Sequence, residues 1–277
     1  MILDGKQVSN EVKENLKKEI NLLNIQPSLI VIQVGDDKAS NVYIKAKEKA
    51  CIEVGITFKH IHFTNDINQE DVITKIKELN EDNKVNGILV QLPLPSNLNT
   101  FKIINAIAAN KDVDGLNDYN SSCIYNNNYN MLPCTPKGIM YLLDYYNIKI
   151  QSKNVVIVGK SNLVGKPLIH LFLNRQASIS ICHSKTTNLA TYTKNADILV
   201  VATGVKHLIT KDMVKPNSYI IDVGINKIDN KLYGDVDYDN IIDIASITPV
   251  PGGVGPMTVA MLLENTLISY KKMNKNI

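Results

Sequence analysis

Several side chains in the first half of the chain are placed where they could do chemistry. In SNVYIKAKEKA, Tyr43 and Lys47 are four apart and share a helical face with Ala39, Ala46 and Ala50. A lysine on a small, apolar face either snorkels to solvent or is held in a site. Gln91 puts a polar side chain at the end of the apolar run in VNGILVQLPLP, where open sheets bind ligands. Asp112 and Asp114 flank Val113 in the turn-like KDVDGL. Each also has an ordinary reading: a surface lysine, a strand-end amide, turn aspartates.

The second half carries a different chemistry. VVIVGKSNLVGKP (155–167) reads as a strand, a glycine turn and a helix start, and backbone N–H groups in that arrangement bind phosphate. Its pattern, G-x-S-x-x-x-G from Gly159 through Ser161 to Gly165, fits any tight strand-to-helix turn as well as a nucleotide site. The next strand, SISICHSKT, ends in His183, Ser184 and Lys185, without the acid that bonds the ribose hydroxyl of NAD. Lys160, back in the first turn, joins Lys185 at two neighbouring strand ends. A lysine pair with a hydroxyl suits a 2′-phosphate, so the pattern favours NADP over NAD.

These residues need a frame, and the sequence predicts one of alternating strands and helices. Ser9 is placed to cap a helix over 9–24 with Val12, Leu16, Ile20 and Leu23 on one stripe. SLIVIQVG, ITFKHIHF and GILVQLPLP read as strands, with helices near 40–54, 69–82 and 100–109 between and after them. The second half repeats the alternation through NVVIVG, SISICH, DILVVATG and SYIIDVGI. A last helix has Pro256 at its first position. Crossovers of this length imply parallel sheets, hence an α/β fold. The asparagine-rich NDYNSSCIYNNNYN (117–130) is the candidate boundary, read as a linker.

Composition narrows the function classes. With 277 residues, 44% hydrophobic and 21% charged, the chain suits two globular domains. A net charge of +3 without a basic cluster gives no case for nucleic acid. No apolar run reaches the roughly 20 residues that span a bilayer. Cys51, Cys123, Cys134 and Cys182 are far apart, without metal-ligand spacing, and read as packing residues. A reduced, soluble, cytoplasmic protein is expected, with no metal.

Taken together, the segments resemble the bifunctional methylenetetrahydrofolate dehydrogenase/cyclohydrolase family. The matching pieces are SNVYIKAKEKA, VNGILVQLPLP, NAIAANKDVDGLN, PCTPKGI, VVIVGKSNLVGKP, CHSKT, ADILVVATG, IIDVGIN, GDV and TPVPGGVGPMTVAMLLENT, in the family's order. The resemblance implies an N-terminal α/β catalytic domain over 1–118 and a Rossmann-like NADP-binding domain over 119–254. The helix from about 255 to 277 packs back on the first domain, and the active site lies in the cleft between the two. It implies a homodimer as well.

By the same resemblance, Lys47 is the catalytic lysine, Tyr43 its neighbour, Gln91 the glutamine that works with it, and Asp114 the carboxylate that holds the folate. Pro251, Gly252 and Gly253 border the folate pocket. Gly159, Lys160, Ser161, Ser184 and Ile225 contact NADP. The implied reactions oxidise 5,10-methylenetetrahydrofolate to the methenyl form, then hydrolyse that to 10-formyltetrahydrofolate. Many members read GRS where this chain reads GKS. Lysine keeps the charge but loses the planar fork, which weakens the expected preference for NADP. The alternatives are another two-domain NADP-dependent dehydrogenase, of a small hydroxy or amino acid, or a non-catalytic nucleotide sensor.

Overall fold

The computed structural model describes residues 1–129, 131–229 and 231–274. Helix α1 (Gly5–Ile20) starts earlier than expected because Asp4 caps it, its Oδ1 accepting from the Gln7 N–H at 2.9 Å. Ser9 lies inside the helix, where its hydroxyl donates to the Lys6 carbonyl. Strand β1 (Ser28–Val34) is the centre of a parallel three-stranded sheet, between β2 (Thr57–Phe63) and β3 (Gly87–Val90). All of β1 past Ser28 is buried, as a strand covered on both faces requires. Its crossovers are α2 (Lys38–Val54) and α3 (Gln69–Glu81), and α4 (Thr100–Asn105) follows β3. Ile30, Ile32, Ile88 and Val90 from the sheet form one core with Val72, Ile76 and Ile103 from the helices.

The stretch expected as a linker instead holds α5 (Asp118–Tyr125). Asn117 caps it, accepting from the Asn120 N–H, and Asn120 in turn donates to Asp112 and to the Ala109 carbonyl. Asn130, at the end of that stretch, lies outside the described residues.

After α6 (Cys134–Tyr145) come β4 (Asn154–Val158), α7 (Gly165–Asn174), β5 (Ser178–Cys182), α8 (Leu189–Thr193), β6 (Ile198–Val201) and β7 (Tyr219–Asp222). Next are an antiparallel hairpin of β8 (Asn226–Ile228) and β9 (Lys231–Tyr233), then α9 (Tyr238–Ile241), β10 (Ser246–Ile247) and α10 (Val254–Asn274). Five strands form a parallel sheet in the order β10-β7-β6-β4-β5. From β4 the chain moves outward to β5 and returns to β6 on the other side. The carboxyl ends of β4 and β6 therefore flank a topological switch point, where open sheets take ligands. On the outer side of β10, Ile2 forms a parallel bridge to Ile247, and the Leu3 N–H donates to the Ile247 carbonyl at 3.0 Å.

Compactness divides the chain into two units. One is Glu11–Cys134 with the chain from Val259 onward; the other is Met1–Asn10 with Thr135–Thr258. The division falls after Cys134 rather than at 118, because the hydrogen bonds of α5 tie it to the KDVDGL segment. Pro256 occupies the third position of α10, still in the first turn, where its missing N–H costs no helical bond. Among the described residues, no helix is long and apolar enough to cross a membrane.

Candidate active site

Lys47 sits on the buried stripe of α2, between Ile44 one turn before it and Cys51 one turn after. The helix is fixed at both ends: Asp37 accepts from the Ser40 N–H at 2.7 Å, and Gly55 closes it in the left-handed conformation. Of the alanines expected around Lys47, Ala39 and Ala46 are exposed and Ala50 is buried, so larger residues share its stripe. Its ammonium donates to Gln91 Oε1 at 2.8 Å. Gln91, just past β3, is buried, and its own amide donates to the Leu92 carbonyl at 2.7 Å, which fixes the side chain's orientation.

Burial pushes the Lys47 pKa down, and the negative charge of Asp114 partly opposes that. Burial pushes Asp114 up, and Lys47 pulls it back. The thiol of Cys51, the next neighbour along the helix, is pushed up to about 12 by burial and stays neutral. Tyr43, one turn before Lys47, is exposed.

The KDVDGL segment separates into three jobs. Lys111 is buried and donates to the carbonyls of Leu79, Asn80 and Asp82, capping the C-terminal end of α3. Asp112 is buried and accepts from the N–H groups of Gly115 and Asn117 and from the Asn120 amide. That is the turn aspartate of the ordinary reading. Asp114 alone of the pair is electrostatically coupled to Lys47. The thiol of Cys134 donates to the Val113 carbonyl at 3.3 Å, beside Asp114, and helps hold the Asp114 pKa down. From α10, Asn265 donates to the carbonyls of Val113 and Leu132, holding the backbone on both sides of Asp114.

The other unit carries the glycine turn. Gly159 has a φ of +119°, and a Cβ there would lie 2.2 Å from the Ala202 carbonyl oxygen, so no other residue fits between β4 and β6. Ser161 Oγ accepts from the Val164 N–H at 3.2 Å, shaping the turn into α7. Lys160, Ser161 and Ser184 are exposed. Because the Gly159 N–H donates to the Cys182 carbonyl, the turn with Lys160 and the loop with Ser184 leave neighbouring strand ends. The residues after β5, His183 to Thr187, include no carboxylate. An exposed cation and hydroxyl at a switch point, with a helix start beside them, fit a dinucleotide bearing a 2′-phosphate. Ile225, past β7, is exposed as well.

Comparison with known proteins settles what this pairing of units is. Residues 3–114 match the model of the tetrahydrofolate dehydrogenase/cyclohydrolase catalytic domain, and 133–274 that of its NAD(P)-binding domain. The chain belongs to the tetrahydrofolate dehydrogenase/cyclohydrolase family. It is 50% identical to the bifunctional protein FolD of Hydrogenobaculum sp., over 98% of this chain and 99% of that one. The crystal structure of the bifunctional FolD enzyme from Campylobacter jejuni superposes with a TM-score of 0.97 at 45% identity, covering 98% of this chain and 99% of that one. The Trypanosoma brucei dehydrogenase-cyclohydrolase, solved with NADP and an inhibitor, has a TM-score of 0.95 at 32% identity, over 98% and 97% of the two chains.

Within this tetrahydrofolate dehydrogenase/cyclohydrolase, Lys47, Gln91 and Asp114 come together. Pro251, Gly252 and Gly253 belong to the other compact unit, where the Gly252 carbonyl accepts from the Lys6 N–H at 2.7 Å. Sequence reasoning missed Cys134, whose thiol donates to the Val113 carbonyl beside Asp114, since isolated cysteines read as packing. PCTPKGI among the matching segments was the available signal.

Proposed function

We propose that Lys47 is the proton-exchanging group of a bifunctional enzyme that oxidises 5,10-methylenetetrahydrofolate with NADP and hydrolyses the methenyl product to 10-formyltetrahydrofolate. The observation that carries the assignment is a desolvated lysine amine held by the Gln91 carbonyl at 2.8 Å. A solvated lysine, with a pKa of about 10.4, is a poor base near neutral pH. Desolvation lowers it, and a cationic substrate would lower it further. In hydrolysis the neutral Lys47 amine takes a proton from the water that adds to the methenyl carbon. The resulting ammonium returns that proton to the folate nitrogen as the C–N bond breaks, and the carbinol O–H proton leaves to solvent as the formyl C=O forms. Gln91 accepts one N–H of the amine, which aims the remaining lone pair without adding charge.

Asp114 is assigned to the pterin N–H groups, as a carboxylate of fixed direction. Tyr43 is assigned to the folate from its exposed place one turn before Lys47, and Pro251, Gly252 and Gly253 are assigned to folate binding as the resemblance implies. Bound NADP supplies the acceptor for the hydride. The lone pair of an adjacent folate nitrogen expels that hydride, so the oxidation asks the chain for positioning and not for proton transfer. Gly159, Lys160, Ser161, Ser184 and Ile225 are assigned to hold the dinucleotide. A homodimer is the expected assembly, as the family resemblance implies. The four cysteines, all free thiols, fit a reducing cytoplasm.

The test mixes the protein with 5,10-methylenetetrahydrofolate and NADP and follows absorbance. NADPH should form, and the methenyl species should rise and then decay faster than its spontaneous hydrolysis. No NADPH removes the oxidation; methenyl decay at the spontaneous rate removes the hydrolytic role of Lys47. NAD should support the oxidation less well than NADP.

A further inference from the structure

Two segments shared with the family, IIDVGIN and GDV, have no part in the assignments above beyond Ile225. Each contains a buried aspartate, Asp222 at the end of β7 and Asp235 just after β9. Asp235 is fully buried. Its Oδ2 accepts from the Thr203 N–H at 2.6 Å, the Thr203 hydroxyl at 2.9 Å and the Gly204 N–H at 2.9 Å. Its Oδ1 accepts from the Asn226 amide at 2.9 Å. Asp222 accepts from the N–H groups of Gly224, Asp235 and Val236. Two close approaches make this possible: a Cβ on Gly224 would lie 2.0 Å from Asp235 Oδ1, and one on Gly234 would lie 1.8 Å from Asp222 Oδ2.

The bonds converge on two turns. Thr203–Gly204 leaves the carboxyl end of β6, at the switch point; Gly224–Ile225–Asn226 leaves the carboxyl end of β7. Ile225 is exposed between two residues that are each tied to one of the carboxylates. Gly204 has a φ of +70°, and a Cβ on it would meet nothing within 4 Å, so open space lies over this turn.

We infer that Asp222 and Asp235 are positioning residues for the dinucleotide, holding the turns after β6 and β7 in the shape that receives it. The inference rests on the assignment of NADP to this sheet edge. Asp235 accepts in all four of these hydrogen bonds, so a carboxylate is the group that satisfies the four donors together. In Asp235→Asn, the oxygen can stay on Thr203 and Gly204 if the Asn226 amide turns over. Asp235→Ala keeps nothing.

The test measures NADPH binding by fluorescence titration, well below the melting temperature of each variant, so that lost stability alone does not move the dissociation constant. Amide exchange is measured on the cofactor-free proteins. D235A should bind NADPH about tenfold or more weakly, with faster exchange confined to Thr203, Gly204 and Asn226. D235N should fall between it and the unsubstituted protein. An NADPH affinity equal to that of the unsubstituted protein, in D235A or, if that variant does not fold, in D235N, overturns the inference. Failure of the unsubstituted protein itself to bind NADPH overturns the cofactor assignment instead.

Discussion

The two units bury carboxylates in opposite ways. In the first, Asp114 faces a lysine whose amine has one fixed partner, Gln91. In the second, Asp235 meets four donors and Asp222 three, from backbone, hydroxyl and amide groups. A buried charge whose acceptor capacity is filled by the fold rigidifies it, and its worth lies in shape. A half-buried pair whose pKa values are shifted is where we place the chemistry. Asp112 and Asp114 show the same contrast across two residues of one turn.

The largest expected effect breaks the lysine side of the contrast. Lys47→Met keeps most of the stem's volume and removes the exchangeable proton. Hydrolysis of methenyltetrahydrofolate, followed directly and corrected for the spontaneous rate, should fall about 10² to 10⁴-fold. NADP binding should persist. Clearance at the unsubstituted rate would falsify the role given to Lys47.

Asp112→Asn tests the shape side. Its three donors would meet an amide that is itself half donor, so unfolding in denaturant should show a loss of about 1–3 kcal/mol. Burial pushes Asp112 from its ordinary 3.8 up to about 6. In that window the native state holds a proton that the unfolded chain has lost, so this group's contribution to stability declines as pH rises. The variant should lack that slope between pH 4 and 6; an identical slope would remove the assignment.

Lys160→Ala should raise the Michaelis constant for NADP by roughly tenfold while leaving that for NAD nearly unchanged. An equal rise for both cofactors would place Lys160 away from the 2′-phosphate. The smallest effect is a shift in a pH profile. Asp114 raises the Lys47 pKa, so Asp114→Asn should move the acid limb of hydrolysis to lower pH, with weaker folate binding alongside. A limb that moves to higher pH contradicts the coupling.

Much of this was legible in the sequence where a single strand or helix decides the matter. The runs SLIVIQV and NVVIV read as buried strands because both faces are covered, and their pattern says so without a partner. Lys47 and Gln91 could be singled out by type and by position on an element. Helix α5 could not, because its polar residues become helical through bonds to Asp112 and Ala109 that local pattern does not carry. Which aspartate of KDVDGL faces the lysine was equally hidden from spacing, since that is decided by α2, far earlier in the chain. Asp235 bonds a turn 31 and 32 residues before it, and no local signal marks that reach.

The bridge between Ile2 and Ile247 gives the chain a timetable. Leu3 finds its backbone partner only after residue 247 has been added, and synthesis proceeds at about 5–20 residues per second. Residues 2 and 3 therefore wait roughly 12 to 50 s for the strand they pair with. Through that interval the backbone of Ile2 and Leu3 lacks the partner it has in the folded sheet, and an unpaired extended segment can join another open strand edge. The outer side of β10 is thus closed by a segment made well before β10 itself.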